Sequence, residues 1–263
     1  MITVRIARSG IALFVACSTS CSDPAACRSD FDENAVSSQV EVRVTPSGSG
    51  VFAEFARNGE FQRQGAPQSF GACSVFAFNA LSDADPGRVH VTMPAEQFEL
   101  SPNTMIGPPS ALPEYIANGI HPLGAGDVVR FETTGGDVAP FAVSIRVPPL
   151  VSISLPPALV SGIWSASMPA QITWTATDGQ VFVWLLNSPS VYDQFRVIEC
   201  FFDARTGMGV IPAEAFASFG VGAAELFAGS SCRTSVRAGA QIVRAIARHA
   251  QDRTSAVRFQ ITP

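Results

Sequence analysis

Apolar and polar residues alternate with a period of two in short runs along most of this chain, and few stretches carry the period of a helix. Val40, Val42 and Val44 alternate with Glu41 and Arg43. Val89, Val91 and Met93 alternate with His90 and Thr92, and Phe141, Val143, Ile145 and Val147 with Ala142, Ser144 and Arg146. Successive side chains of a strand point to opposite faces, so these runs predict half-buried strands. Residues 51–56, 74–78 and 128–133 repeat the pattern more weakly. At Val147-Pro148-Pro149 it stops, because consecutive prolines donate nothing to a ladder and favour an extended linker.

Beyond the linker, Val151, Ile153 and Leu155 form one face of a new strand before Pro156-Pro157. Residues 172–177 and 180–186 flank Asp178-Gly179, and an Asp-Gly pair between alternating runs predicts a two-residue hairpin. Further strands are expected at 195–202, 224–228, 241–247 and 256–261. That makes about seven short strands in roughly 113 residues, the size and strand count of an immunoglobulin-like sandwich. Residues 212–219 begin with Pro and end before Gly220, which predicts one short helix; the run 242–250 also has helical propensity. The expected fold is all-β: two consecutive β-sandwich (immunoglobulin-like) domains, at 36–147 and 148–263. No motif recurs between them at fixed spacing.

The N-terminal residues follow a different rule. Residues 1–10 hold Arg5 and Arg8 and no acid, and Ile11 to Ala16 are apolar, the order of a secretory signal. The run is far short of the roughly 20 apolar residues a spanning helix needs. Phe14-Val15-Ala16-Cys17 resembles a bacterial lipobox, in which a small residue precedes a cysteine that is acylated on sulfur. The resemblance implies a cleaved signal peptide at 1–16, lipid on Cys17 and a flexible, small and polar tether at 17–35. Ser18 after the acylated residue implies the outer membrane by the same resemblance. Cys21 is a rival acceptor, although Ser18 then fills the apolar lipobox position; an ordinary signal peptide cleaved near Ala26 is the other alternative.

The six cysteines, at 17, 21, 27, 73, 200 and 232, make no zinc spacing, and in an oxidising compartment they read as disulfides. Cys200 and Cys232 are expected to pair, closing a loop of about 33 residues worth roughly 3.5 to 4 kcal/mol by chain entropy. With lipid on Cys17, one of Cys21, Cys27 and Cys73 has no partner. With lipid on Cys21, Cys27 and Cys73 can pair. The lipobox and the cysteine count thus point to different acceptors.

Charge and motifs narrow the chemistry. The 17 basic residues are all arginine, against 22 acidic ones. No basic patch interleaved with aromatics is visible, which argues against a nucleic-acid partner. The absence of lysine removes Schiff-base and P-loop chemistry. Only three histidines exist: His90 on an outward strand face, His121 before Pro122 in a Gly/Pro-rich loop, and His249 near a strand end. No nucleophile elbow, zinc helix or phosphate loop is present. Asp30, Asp32 and Glu33, and separately Asp83 and Asp85, offer too few oxygens for calcium, and Asp83 to Gly87 reads as a turn. Gly135-Gly136-Asp137 reads as a hairpin loop. No metal and no cofactor are expected.

Aromatic residues carry the remaining hint, since exposed rings on a sandwich can stack on sugars or fill peptide pockets. Trp174 and Trp184 are expected in the core, and Tyr192, Phe70 and Tyr115 at loops or ends. Trp164, flanked by Ser-Gly-Ile and Ser-Ala-Ser, is the candidate ligand-facing ring. The lipobox, Gly-Asp-Val-Val at 126–129, the Gly-Gly-Asp-Val-Ala-Pro-Phe loop and Ile-Thr-Trp-Thr at 172–175 together resemble two-module β-sandwich lipoproteins of large-genome Gram-negative bacteria. That resemblance implies location and architecture and brings no activity. The expectation is a non-catalytic, lipid-anchored envelope protein that binds or spaces, with an envelope glycan or protein as partner. The alternatives are a carbohydrate- or peptide-binding module and a hydrolase built on His121 and a nearby carboxylate.

Overall fold

Wherever the sequence alternates most cleanly, the chain is extended and paired. A computed structural model describes residue 27 and residues 38–55, 63–78, 84–103, 114–187, 195–250 and 257–263. The signal segment, the predicted tether apart from Cys27, with Cys17, Cys21, Asp30, Asp32 and Glu33, and also Asp83 and Tyr192 lie outside the described residues.

The first strands are β1 (Ser38–Thr45), β2 (Gly48–Phe55), β3 (Arg63–Phe70), β4 (Cys73–Phe78), β5 (Val89–Thr92), β6 (Gln97–Leu100), β7 (Pro102–Asn103), β8 (Glu114–Ile120), β9 (Val128–Thr133) and β10 (Ala142–Arg146). After the diproline come β11 (Ile153–Ser154), helix α1 (Pro157–Val160), β12 (Ile163–Ser165), β13 (Ala170–Trp174), β14 (Gln180–Asn187), β15 (Phe195–Asp203) and β16 (Met208–Ile211). Helix α2 (Ala213–Phe219), β17 (Gly222–Ala238), β18 (Gln241–Ala250) and β19 (Val257–Thr262) complete the order. The fold is all-β, and the expected helix at 212–219 is α2. The run 242–250 is strand, because both edges of β18 are paired, antiparallel to β17 and parallel to β1.

One long sheet runs β3-β4-β15-β14-β17-β18-β1-β2-β8-β7, with β19 also on β17 and β12 on β19. Two small sheets, β10-β9-β5-β6 and β11-β13-β16, accompany it. Each faces its own core. Val40, Val42 and Val44 of β1 and Val243, Ala245 and Ala247 of β18 pack with Val89, Val91, Phe131, Val143 and Ile145 of the four-stranded sheet. Val181, Val183 and Leu185 of β14 and Ile198 of β15 pack with Ile172 and Trp174 of the three-stranded sheet and with Phe216 of α2. Sheet-on-sheet packing therefore occurs twice, as the alternation requires.

The boundary at 147/148 does not separate two sheet systems, however. β1 pairs in parallel with β18, and β4 pairs with β15 through Cys73↔Cys200. Each core thus holds strands from both sides of the diproline, and the long sheet is continuous through both. The joint itself is fastened: the Ser230 hydroxyl donates to the Pro149 carbonyl, and Nδ1 of His249 lies 2.9 Å from the Pro148 carbonyl. A nitrogen facing a carbonyl must donate, so His249, expected at the surface, is a half-buried structural donor.

Two local expectations are corrected. Asp178-Gly179 does not close a hairpin, because β13 pairs with β11 and β16 whereas β14 pairs with β15 and β17. The dipeptide crosses from one sheet to the other, held by Thr177 N–H to Ala204 O at 3.1 Å and Ala204 N–H to Gly179 O at 3.0 Å. The strand expected at 224–228 extends to residue 238, straight through Gly229-Ser230-Ser231, a sequence that resembles a turn. Glycine is required there because a Cβ would lie 2.9 Å from the Phe182 ring and 2.8 Å from Ala250 Cα.

The disulfides are also repartnered. Cys73 joins Cys200, and Cys27 joins Cys232. Cys200 and Cys232 cannot meet, because β14 lies between β15 and β17; two strand spacings are about 10 Å, beyond the roughly 7 Å limit for Cα atoms of a disulfide. Their closeness in sequence carries no closeness in space. The Gly135-Gly136-Asp137 loop does join the paired strands β9 and β10. It interlocks with the Asp85 turn, where Asp137 N–H donates to Asp85 O at 2.7 Å and Asp85 N–H to Asp137 Oδ2 at 3.1 Å.

Non-reducing peptide mapping is expected to yield Cys27–Cys232 and Cys73–Cys200 cross-links; a Cys200–Cys232 peptide would contradict the strand order. Gly229→Ala is expected to lower the unfolding free energy by about 1–3 kcal/mol through overpacking against the neighbouring strand at the His249 carbonyl and Ala250 and against Phe182, measured by urea denaturation.

Candidate functional site

The face of the long sheet turned away from the two cores is built from the polar members of the same alternating runs. Gln39, Glu41 and Arg43 on β1, Arg244 and Arg248 on β18, Arg233 on β17 and Glu199 on β15 all lie there, and all but Arg43 are at least nine-tenths buried. Burying a charge is expensive unless it is paired and hydrogen-bonded. Here the pairs form a closed ring. Glu41 Oε1 accepts from Arg248 Nη1 at 2.8 Å, and Arg248 Nη2 donates to Glu199 Oε1 at 2.8 Å. Glu199 Oε2 stands 3.7 Å from Arg244 Nη1, Arg244 Nε donates to Gln39 Oε1 at 2.8 Å, and Gln39 Nε2 returns to Glu41 Oε2 at 2.9 Å. Arg43 adds Nε to Glu41 Oε1 at 2.7 Å and Nη2 to Glu41 Oε2 at 3.2 Å.

The ring spans five strands. β15 and β18 are three strand spacings apart, about 14 Å, so the Arg248 and Glu199 side chains lie along the sheet to meet. The guanidiniums lie against aromatic faces: Arg248 Cζ is 4.9 Å from the Trp184 ring centroid and 5.4 Å from that of Phe182, Arg43 is 4.1 Å from Phe52, and Arg233 is 3.5 Å from Phe201. Cation–π attraction is strongest where water is excluded. Burial alone would raise the Glu41 pKa, but Arg248 and Arg43 together overcome it and hold the carboxyl at about 2. Glu41 is therefore a fixed anion in neutral solution.

At one end the ring opens into a cleft of about 410 Å³. Glu41, Arg43 and Arg248 form its charged floor, and Phe52, Phe182, Trp184 and Phe227 its apolar wall. The rim is the β1–β2 turn with Ser47 to Gly50, facing Asn118 and Gly119 of β8. A register shift between Ser49 and Gly50 bulges β2 against β8 at this point, and a Cβ on Gly50 would stand 3.0 Å from Asn118 Oδ1 and 3.3 Å from the Phe52 ring. The bulge and the missing side chain keep the rim open. Mostly apolar walls with a few convergent polar groups are the usual composition of a small-molecule site, and the volume falls within the usual range.

The site proposed from sequence lies elsewhere. Trp164 is a core residue, 4% exposed, tilted on Phe216 at 6.0 Å between ring centroids, with Nε1 donating to Met168 O at 3.1 Å. It cannot face a ligand. Trp184, expected in the core, is the ring that lines the cleft, while Trp174 is buried and donates to Ala204 O at 2.8 Å. Tyr115, expected in a loop, is a buried strand residue edge-on to Phe55 at 5.9 Å.

His121 sits on an exposed turn after β8, and it is its backbone N–H, not the ring, that donates to Glu96 at 2.7 Å. It lines neither the cleft nor the depression around His90, Glu99 and Glu132 on the four-stranded sheet. His90 there is half-exposed, its Nδ1 4.0 Å from Glu99, as an outward strand position implies. Asp85 Oδ1 accepts from Gly87 N–H at 2.7 Å, a turn contact. Among the described residues no group of three metal-ligating side chains occurs, and no helix is long and apolar enough to cross a membrane. Two disulfides fit an oxidising, non-cytoplasmic compartment.

No protein-family model and no curated protein matches the chain. Among solved structures it is similar to the teleost fish polymeric Ig receptor (pIgR) ectodomain, at 10% identity over 81% of this chain and 98% of that one, with a TM-score of 0.21. It is similar also to the chicken CNTN1 FN1–FN3 domains, at 10% identity over 72% and 67% with a TM-score of 0.17. DIP-gamma IG1+IG2 matches at 10% identity over 71% and 98% with a TM-score of 0.15. Scores this low carry no argument. The class, an all-β protein of sheet-on-sheet packing with a charged cleft on its long sheet, rests on the strands themselves.

Glu41 generates a pH signature. Its folded pKa, about 2, lies below its ordinary value of 4.5. The stability it contributes is present above pH 4.5 and lost as pH falls toward 2, about 3 kcal/mol in all. Glu41→Gln is expected to cost about 3–5 kcal/mol at pH 7, by leaving Arg43 and Arg248 without their shared carboxylate, and to flatten the acid limb of a denaturation series run from pH 7 to 2.

Proposed function

We propose that this chain is a lipid-anchored cell-envelope protein with a non-catalytic binding role, and that its ligand site is the cleft bounded by Glu41, Arg43, Arg248 and Trp184. The observation that supports the binding role is the composition of that cleft: aromatic wall, charged floor, and a rim kept open by a bulge and a glycine. The fixed ion ring argues against acid–base catalysis there. A general base works best with a pKa near the operating pH, and Glu41 is far below it. A carbohydrate or a peptide side chain fits aromatic walls of this kind.

The anchor rests on the lipobox at 14–17, which favours Cys17. A second reading, Cys21, is favoured by the disulfides, because Cys27–Cys232 and Cys73–Cys200 account for every cysteine after it. With lipid on Cys17, the mature chain retains Cys21 as an extra thiol. An outer-membrane location follows from Ser18 only by resemblance to sorting signals.

Palmitate labelling is expected in the wild type and absent in Cys17→Ala; loss in Cys21→Ala instead moves the anchor four residues on, and labelling in neither parent nor variants removes it. For the cleft, glycan and peptidoglycan-fragment panels read by tryptophan fluorescence are expected to give a ligand whose signal disappears in Trp184→Ala and survives in Trp164→Phe. A ligand retained fully by Trp184→Ala places the binding role elsewhere.

A further inference from the structure

The charge and donor pattern of the cleft narrows what it takes. Of the charged residues that line it, two are guanidiniums, Arg43 and Arg248, and one is a carboxylate, Glu41. The closed ring behind it is balanced, two arginines against two glutamates, so the excess positive charge at the cleft is that of Arg43. Arg43 is the accessible member, its side chain 32% exposed against 2% for Glu41. The carboxylate is covered, whereas a cation stands at the opening.

Two side chains of the lining also hold N–H donors without an acceptor among the described residues: Trp184 Nε1 and Arg248 Nε. Arg248 is 95% buried, and a buried donor left without an acceptor is costly. Both orphans are donors. Both lie beneath the surface of the cleft, out of a ligand's reach, and leave the wall behind it electropositive, which favours an anion over a cation.

The aromatic rings point the same way. Rings around a cleft can cage a cation, but here Arg43 already covers Phe52, and Arg248 lies over Phe182 and Trp184. A cationic ligand would meet like charge on the faces it needs. What remains for a ligand's apolar part is the Trp184–Phe227 pair, tilted at 6.5 Å between centroids.

We propose, building on the cleft as the ligand site, that it selects small amphipathic anions: molecules with an aromatic or flat apolar body and a carboxylate or similar oxyanion. The body lies on Trp184 and Phe227 and the anion faces Arg43. No covalent step is involved.

The test uses the mature chain and three probes of equal shape in isothermal titration: 2-naphthoate, 2-naphthylmethanol and 2-naphthylmethylammonium. Naphthoate is expected to bind at least tenfold more tightly than the alcohol, and the ammonium not measurably. Arg43→Gln is expected to weaken naphthoate roughly tenfold, the scale of one charge-assisted hydrogen bond, and to leave the alcohol within twofold. Trp184→Phe keeps a ring but shortens the apolar wall, and is expected to weaken naphthoate and the alcohol alike, severalfold. Should Arg43→Gln unfold, raising salt on the wild type serves instead, because screening weakens the anion and spares the alcohol. Alcohol or ammonium binding as tightly as naphthoate overturns the anion selectivity while the cleft remains a binding site. No probe binding at millimolar concentration overturns both.

Discussion

The ring of buried charge that joins Glu41, Arg248, Glu199, Arg244 and Gln39 is the constraint on which the rest of the molecule turns. Its members come from β1, β15 and β18, which lie at opposite ends of the chain and on both sides of the diproline. Ion pairs inside a protein gain little over well-packed apolar residues, yet they penalise heavily any arrangement that leaves one member alone. A register slip of one residue in β1 would turn Glu41 toward the valines of the core and Val42 toward two guanidiniums. The ring therefore holds β1 against β18 in a single parallel register, a pairing that no short turn could set. It also ties together, side chain to side chain, strands beneath both cores that the backbone ladders already join in one sheet.

Much of this could be read from the chain, but not its inside-out character. The alternation of Val40, Val42 and Val44 identifies a strand with one apolar face, and the structure places those valines in a core. The same alternation puts Glu41 on the other face, where ordinary experience puts water. Period-two patterning separates two faces and says nothing about what covers the polar one. Trp164 and Trp184 exchange their expected places for a similar reason. Small polar neighbours made Trp164 look exposed, whereas its ring lies on α2; apolar neighbours made Trp184 look buried, although every second residue of β14 turns to the cleft side. The signal that could have found the site is the recurrence of arginine and glutamate at alternate positions of otherwise apolar strands: Glu41 and Arg43, Glu199, Arg244 and Arg248.

Pairings between distant segments were hidden more deeply. Cys200 finds Cys73 across the β15–β4 ladder, a neighbour 127 residues away, because strand order and not spacing decides which sulfurs can meet. β17 runs past the expected 224–228 because Gly229-Ser230-Ser231, which has the chemistry of a turn, stays extended in the ladder. In place, that glycine makes room for Phe182, one of the rings beneath Arg248. A residue that weakens the strand locally is what lets the charged face close over it.

The link from Cys27 to Cys232 has a mechanical consequence. Residue 27 is fastened to the middle of β17, inside the long sheet. On the proposed anchoring at Cys17, the free leash to the bilayer is then ten residues, at most about 35 Å when fully drawn out, whereas the path to the first strand at Ser38 would allow about 70 Å. With lipid on Cys17 as proposed, one covalent bond would halve the height at which the body could ride above the membrane. Because the fastening point lies well inside the sheet, a pull on the chain N-terminal to Cys27 would be borne across hydrogen-bonded strands instead of peeling the chain away from one edge.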